Sequence, residues 1–324
     1  MPYLSGKVEV MNRNFKLNSA FDGLNIGVLL VSPETKPIAV LHLSHGMCGY
    51  KERYLPFMTY LSNNGIVCVA EDHRGHGESV KTEGDRGYMY AGGSRAIVDD
   101  MKMVTDWAHE MYPGLPIFLL GHSMGSLAAR AYTKKYDDSL AGLILCGSPS
   151  STSISYPAYI LAHFIAMFND GRIRMTHLQD FMNKRYNKAF AAEGPLAWLC
   201  SDDAVCRAYA ETPVSNFSFT ADAALALMSL LKDTYSTRGW KLANPGLPIY
   251  FISGEDDPCM LGEANFHSSV HNMVDVGYND VTSAIYSGMR HEVLNEIGKE
   301  TVWQDILNHI LIWLSSVGRN SQIS

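Results

Sequence analysis

The sequence predicts an α/β fold: a mostly parallel central sheet covered by helices on both faces, with a helical cap inserted between two late strands. Three observations predict it. Strand-like runs rich in Val, Ile and Leu fall at 24–32, 37–44, 66–71, 116–120, 140–146, 247–253 and 281–287, with a further one at 7–17. Helix-length segments at 52–64, 94–112, 124–136 and 299–316 stand between most of them. Alternation of this kind, with near-continuous apolar strands, suits a sheet buried on both faces. Between about 151 and 240 the alternation stops and the chain reads as helices without strands.

The first strand runs have no helices between them, which predicts an antiparallel hairpin region at one edge of the sheet. The run Leu115-Pro116-Ile117-Phe118-Leu119-Leu120 is short, apolar and bounded by Pro116 and Gly121, as a strand buried on both faces would be. The residues after it, Ser126 to Tyr132, are small and helix-prone. The inserted segment opens with Ser148-Pro149-Ser150-Ser151-Thr152-Ser153 and carries apolar helical stretches at Tyr156 to Phe168 and Phe219 to Leu231. The expected organisation is a core of residues 1–150 and 241–324 with a cap of residues 151–240. Inserted at this point the cap sits over the end of the sheet, a position that functional lids occupy.

Composition narrows the class. The chain has 324 residues, 47% of them hydrophobic and 18% charged, enough for one large core with an insertion. A net charge of −7 argues against nucleic acid as a partner and against a polybasic membrane anchor. The first residues lack the basic start and apolar centre of a secretory signal. The longest apolar stretch, Pro157 to Phe168, is broken by His163 and too short to span a bilayer. The six cysteines are scattered, several within apolar runs, which favours buried thiols over disulfides. A cytoplasmic protein is expected.

The chemistry centres on Gly121-His122-Ser123-Met124-Gly125, a Gly-x-Ser-x-Gly pentapeptide between the expected strand and helix. Such a pattern arises by chance in roughly one chain in ten of this length, so its placement carries the argument. There it forms a nucleophile elbow, a sharp turn that lifts a serine hydroxyl above the sheet, with glycines where strand and helix pass closely. A serine hydroxyl needs an adjacent base that is itself oriented by an acid. In this architecture the order is Ser, acid, His, each at the carboxyl end of a strand. The strand run 247–253 leads into Gly254-Glu255-Asp256-Asp257-Pro258, and the run 281–287 into Gly288-Met289-Arg290-His291. Ser123 and His291 are the expected nucleophile and base. Asp257, held extended before Pro258, is the preferred acid over Asp256 and Glu255. The oxyanion requires two backbone N–H groups. The expected donors are Met124, after the serine, and Met47, in the glycine-containing turn Ser44-His45-Gly46-Met47. His267 and His271 lie four apart on an expected helix, but no third ligand accompanies them, so a solvated face is the better reading. No metal and no cofactor are expected.

His45-Gly46-Met47, the stretch Asp72 to Ser79, the elbow, Gly254 to Pro258 and Gly288 to His291 together resemble the monoacylglycerol lipase and lysophospholipase group of α/β-hydrolases, also called serine aminopeptidase-like. The resemblance covers about 25–150 and 241–315, and is weak over the cap. It implies an α/β-hydrolase fold. It maps the acid, third after the glycine ending its strand, onto Asp257, and the serine and histidine onto Ser123 and His291. It also implies a tight loop from Asp72 to Ser79, in which Arg74 and the glycines read as structural. The group often has an acidic residue three positions after the glycine of the oxyanion loop; here that position is Gly49, after Cys48.

The implied activity is carboxylic-ester hydrolysis through an acyl-enzyme. The substrates are monoacylglycerol- or lysophospholipid-like, the acyl chain being received by the apolar cap helices, which also pack the cap itself. Transient contact of the cap with a membrane or micelle is compatible with this. Short-chain or aryl esters are the alternative. An amidase or aminopeptidase would need cap carboxylates such as Glu193, Asp202, Asp203 or Glu211 to clamp an amine. A non-catalytic receptor for an apolar ligand would leave the ordered acid and histidine unexplained.

Overall fold

Five consecutive strands in the middle of the sheet are buried along their whole length, mostly through apolar side chains, and the chain folds around them. A computed structural model describes residues 11–90, 92–151 and 155–320. Its strands are β1 (Met11–Asn18), β2 (Asn25–Ser32), β3 (Ala39–Ser44), β4 (Ile66–Glu71), β5 (Ile117–His122), β6 (Gly142–Cys146), β7 (Ile249–Gly254) and β8 (Val281–Tyr286). They form one sheet in the order β1-β2-β4-β3-β5-β6-β7-β8. β1 pairs antiparallel with β2, and β2 antiparallel with β4, while every pairing from β4 to β8 is parallel. The edge strands β1 and β8 expose part of their length, whereas all residues of β3 to β7 are buried. The chain has an α/β-hydrolase fold.

Side chains alternate across this sheet. Ile117 and Leu119 join one hydrophobic cluster, while Phe118 and Leu120 join the other. The helices are α1 (Leu55–Ser62), α2 (Gly93–Met111), α3 (Met124–Tyr136), α4 (Ser155–Ala166), α5 (Thr176–Tyr186), α6 (Asp203–Glu211), α7 (Ala221–Thr234), α8 (Glu263–Val276) and α9 (Lys299–Asn320). α1 and α9 cover one face; α9 does so with Val302, Trp303, Ile306, Leu307 and Ile310, a stripe at helical spacing. α2, α3 and α8 cover the other, joined by Ala223, Ala226 and Leu230 of α7.

One expectation needs correction. The run 37–44 lies in the sheet interior as β3, between β4 and β5, and outside the edge hairpin, because all six of its residues are apolar or satisfied and buried. Among the described residues the inserted segment has helices and no strand, as expected, with one isolated antiparallel bridge between Arg174 and Thr220. Residues 7–10 of the first expected strand, and 152–154 at the start of the insertion, lie outside the described residues. All six cysteines are buried and free. Among the described residues no helix is long and apolar enough to cross a membrane.

Candidate active site

Ser123 occupies the turn between β5 and α3 with φ 55° and ψ −120°, a conformation unfavourable for a residue with a Cβ. The turn survives because its neighbours leave no alternative path. A Cβ on Gly125 would stand 2.1 Å from the carbonyl oxygen of Ser44, so α3 begins in contact with the backbone of β3. The Ser123 amide donates to the carbonyl of Cys146 at the end of β6, at 2.9 Å. Strain held by surrounding structure is a feature of sites that present a reactive group.

The acid and histidine turns of the sequence converge on this serine. The Ser123 hydroxyl lies 2.8 Å from His291 Nε2, and His291 Nδ1 lies 3.0 Å from both carboxylate oxygens of Asp257. All three residues are buried. Asp257 is fixed in turn: it accepts the Cys259 amide at 2.8 Å and the Ser253 hydroxyl at 3.0 Å. Burial opposes ionisation of this carboxyl, but the His291 charge and these hydrogen bonds hold it below its ordinary range. Burial likewise opposes the imidazolium, yet Asp257 overcomes it and raises His291 well above the ordinary imidazole value. Asp256 and Glu255 are exposed. The Glu255 carboxylate accepts from the Ser287 hydroxyl at 2.6 Å and the Gly288 amide at 3.2 Å, whereas the His291 ring is bonded to Asp257.

The loop after β3 approaches the serine from the other side. A Cβ on Gly46 would lie 3.0 Å from both the Ser123 Cβ and His122 Nδ1, so a side chain here would press on the serine turn. Met47 follows it. Met124 is the first residue of α3, where helix geometry leaves the amide without an intrahelical acceptor. The loop is tied down by histidines. The Cys48 amide donates to His76 Nε2 at 3.2 Å, and the His73 amide to His45 Nε2 at 3.0 Å. Burial holds His76 neutral, down to about 3, and keeps His45 well below the ordinary value, so both can accept. Lys51, at the loop's far end, is buried against Asp72, with its amide 2.8 Å from one carboxylate oxygen and its Nζ 2.7 Å from the other. Arg74 is likewise buried and ion-paired, to Asp22 and Asp100.

Sequence reasoning missed a second tier of residues. Tyr54 and His122 support the histidine loop, since His122 lies between the Tyr54 hydroxyl and the His291 carbonyl. Glu292, next to His291, forms an ion pair with Arg53. His122 was visible as the second residue of the pentapeptide, but nothing local marks Tyr54 or Arg53. Among the described residues the only compact set of metal-type donors is Asp257, Cys259 and His291, within 4.8 Å of one another. Two of these already hydrogen-bond each other, and burial pushes the Cys259 thiol up, disfavouring the thiolate a metal would need. His267 and His271 lie on exposed α8 beside Glu263 and Asp275, as a solvated face would. Of the carboxylates in the inserted segment, Glu193 pairs with Arg290, Asp203 with Arg207, and Asp202 caps α6.

The family model described as "Serine aminopeptidase, S33" matches residues 35–298. The chain is 35% identical to the Monoglyceride lipase of Homo sapiens over 113 residues, which is 35% of this chain and 36% of that protein. That match therefore spans about a third of the human protein's length. Similarity to the Monoacylglycerol lipase of Mycolicibacterium smegmatis runs further, 25% identity over 299 residues, 89% of this chain and 94% of that one. Among solved structures, a thermostable carboxyl esterase from Bacillus coagulans, in complex with glycerol, superposes with a TM-score of 0.86 at 24% identity. The superposition covers 94% of this chain and 99% of that chain, a likeness of fold.

Proposed function

The chain belongs to the serine aminopeptidase S33 family of α/β-hydrolases and is a serine hydrolase; from that membership we propose that it cleaves carboxylic esters through a Ser123-His291-Asp257 triad. The observation that carries this reading is the unbroken line of hydrogen bonds from the Ser123 hydroxyl through both ring nitrogens of His291 to Asp257. His291 Nε2 takes the proton of Ser123 as its Oγ attacks the ester carbonyl. Asp257 keeps the proton on Nδ1 and stabilises the imidazolium that forms. The amides of Met47 and Met124 receive the oxyanion, where donors fixed in advance cost no reorganisation. The imidazolium then protonates the departing alcohol. Water repeats the cycle on the acyl-enzyme and releases the acid.

The proposed substrates are monoacylglycerol- or lysophospholipid-like esters, in keeping with the lipases named above. Residues 151–240 act as a cap over a core formed by 1–150 and 241–324. The cap leaves Ile160, Leu161, Phe164, Met167, Phe168 and Phe181 more than half exposed. An apolar surface of this kind suits transient contact with a membrane or micelle that holds such substrates. A panel of monoacyl esters of glycerol and of glycerophosphocholine, aryl esters and aminoacyl amides, graded in acyl length, tests the assignment. Turnover highest on long-chain monoesters supports it. Turnover peaking at acetate and lost beyond about eight carbons, or faster on amides, overturns the lipid reading.

A further inference from the structure

The residues that follow α5 in the cap do not lie loosely above the core. Leu196 to Cys200 are all buried, and this short segment is bonded to the loop that carries His291 at several points. The Glu292 amide donates to the Leu199 carbonyl at 2.8 Å. The Arg290 guanidinium donates to the carbonyls of Ala197 and Cys200, at 2.8 and 3.3 Å. One carboxylate oxygen of Glu296 accepts from the amides of both Ser201 and Arg290, each at 2.9 Å. Asn187 holds the Trp198 amide from behind, at 2.9 Å. What this framework fixes is the indole of Trp198, whose ring centroid lies 5.3 Å from that of His291 at an interplanar angle of 37°.

We propose that Trp198 is a positioning residue for the reaction, its indole face steadying the His291 ring and stabilising the imidazolium formed when Nε2 takes the Ser123 proton. An indole is the aromatic that most favours a cation near its face, and the attraction grows when water is excluded. Trp198 is nine-tenths buried, so the contact is a dry one. Its cation–π part acts on the charged form of His291 alone, so it adds to the transition state beyond what the packing of Trp198 in the core gives to folding. The other groups facing that ring are Asp257, the buried neutral His122, 4.9 Å away between centroids, and the Cys259 thiol. The Glu292–Arg53 ion pair lies one residue on, and Tyr186 backs the indole at 5.0 Å. The segment 196–201 thereby belongs to the catalytic support.

The inference rests on His291 being the general base, and the test separates the two. The pH profile of kcat/KM is measured for the unaltered protein and for Trp198→Phe, Trp198→Leu and Trp198→Met, with near-ultraviolet circular dichroism to establish folding. Loss of the π face should lower kcat/KM about tenfold and move the acid limb down by about half a unit in the Leu and Met variants, since the protonated ring loses a stabilising neighbour. The Phe variant, which keeps a face, should retain at least about a third of the activity with the limb within about 0.2 unit. A limb that stays in place in a folded Leu or Met variant, or moves upward because water reaches the ring, overturns the proposal. His291→Ala with undiminished turnover would instead remove the triad reading itself.

Discussion

The Tyr54 hydroxyl lies 2.9 Å from Nδ1 of His122, and Nε2 of the same ring lies 3.2 Å from the His291 carbonyl oxygen. Burial lowers His122 to about 4, so the ring is neutral at physiological pH and carries one proton. A carbonyl only accepts, so that proton is on Nε2, and Nδ1 accepts from Tyr54. The relay fixes the backbone of the histidine loop from beneath. Tyr54→Phe removes the donor and leaves a buried ring nitrogen unsatisfied. It should lower unfolding stability by about 1–3 kcal/mol, read from urea denaturation, with a several-fold loss of ester turnover.

The pH dependence of activity follows from the pair at the centre. As the proposed base, His291 would have to be neutral to take the serine proton, and Asp257 raises it above its ordinary value. Activity should therefore be lost as pH falls through a midpoint above about 6.5, the unperturbed imidazole value. In Asp257→Asn the midpoint should drop, and kcat should fall by about four orders of magnitude as the wrong tautomer becomes available. A profile of kcat/KM from pH 5 to 9 measures both.

The order of the site was legible because a parallel sheet puts the carboxyl ends of its strands side by side. Gly121–Gly125, Asp257 and His291 each stand just past an apolar run, and those runs became β5, β7 and β8. The two pairing partners of β3 were not legible, since strand order in a sheet depends on contacts that no local pattern encodes. The same holds for the supporting residues. Tyr54 meets His122 across 68 positions and Arg53 meets Glu292 across 239. Trp198 sits in a stretch whose helical reading gave no reason to bring an indole against His291. Its position is set by Arg290, Glu292 and Glu296, whose bonds to the segment 196–201 join positions about ninety residues apart.

Buried neutral histidines make the fold sensitive to acid. His45, His76 and His122 are all held below the ordinary imidazole value, chiefly by burial. Unfolded, each would bind a proton near pH 6.5, so the unfolded state takes up more protons as pH falls. Their contribution is fully present above about pH 6.5 and is lost progressively below it, towards the folded values near 3 and 4 for His76 and His122. His291, raised rather than lowered, acts in the opposite sense. These three histidines alone should remove about 1–3 kcal/mol per pH unit between 6 and 4, opposed in the same window by Asp222, which burial raises to about 6; urea unfolding at fixed ionic strength, compared with His122→Gln, reads the histidine share.

The central claim is that Ser123 is an activated nucleophile. A fluorophosphonate probe reacts with such a serine and forms a covalent adduct that peptide mass spectrometry can locate. The account predicts stoichiometric labelling on the peptide containing Gly121–Gly125, abolished in Ser123→Ala together with a loss of ester turnover by several orders of magnitude. Labelling at another residue, or ester hydrolysis undiminished in Ser123→Ala, would contradict it.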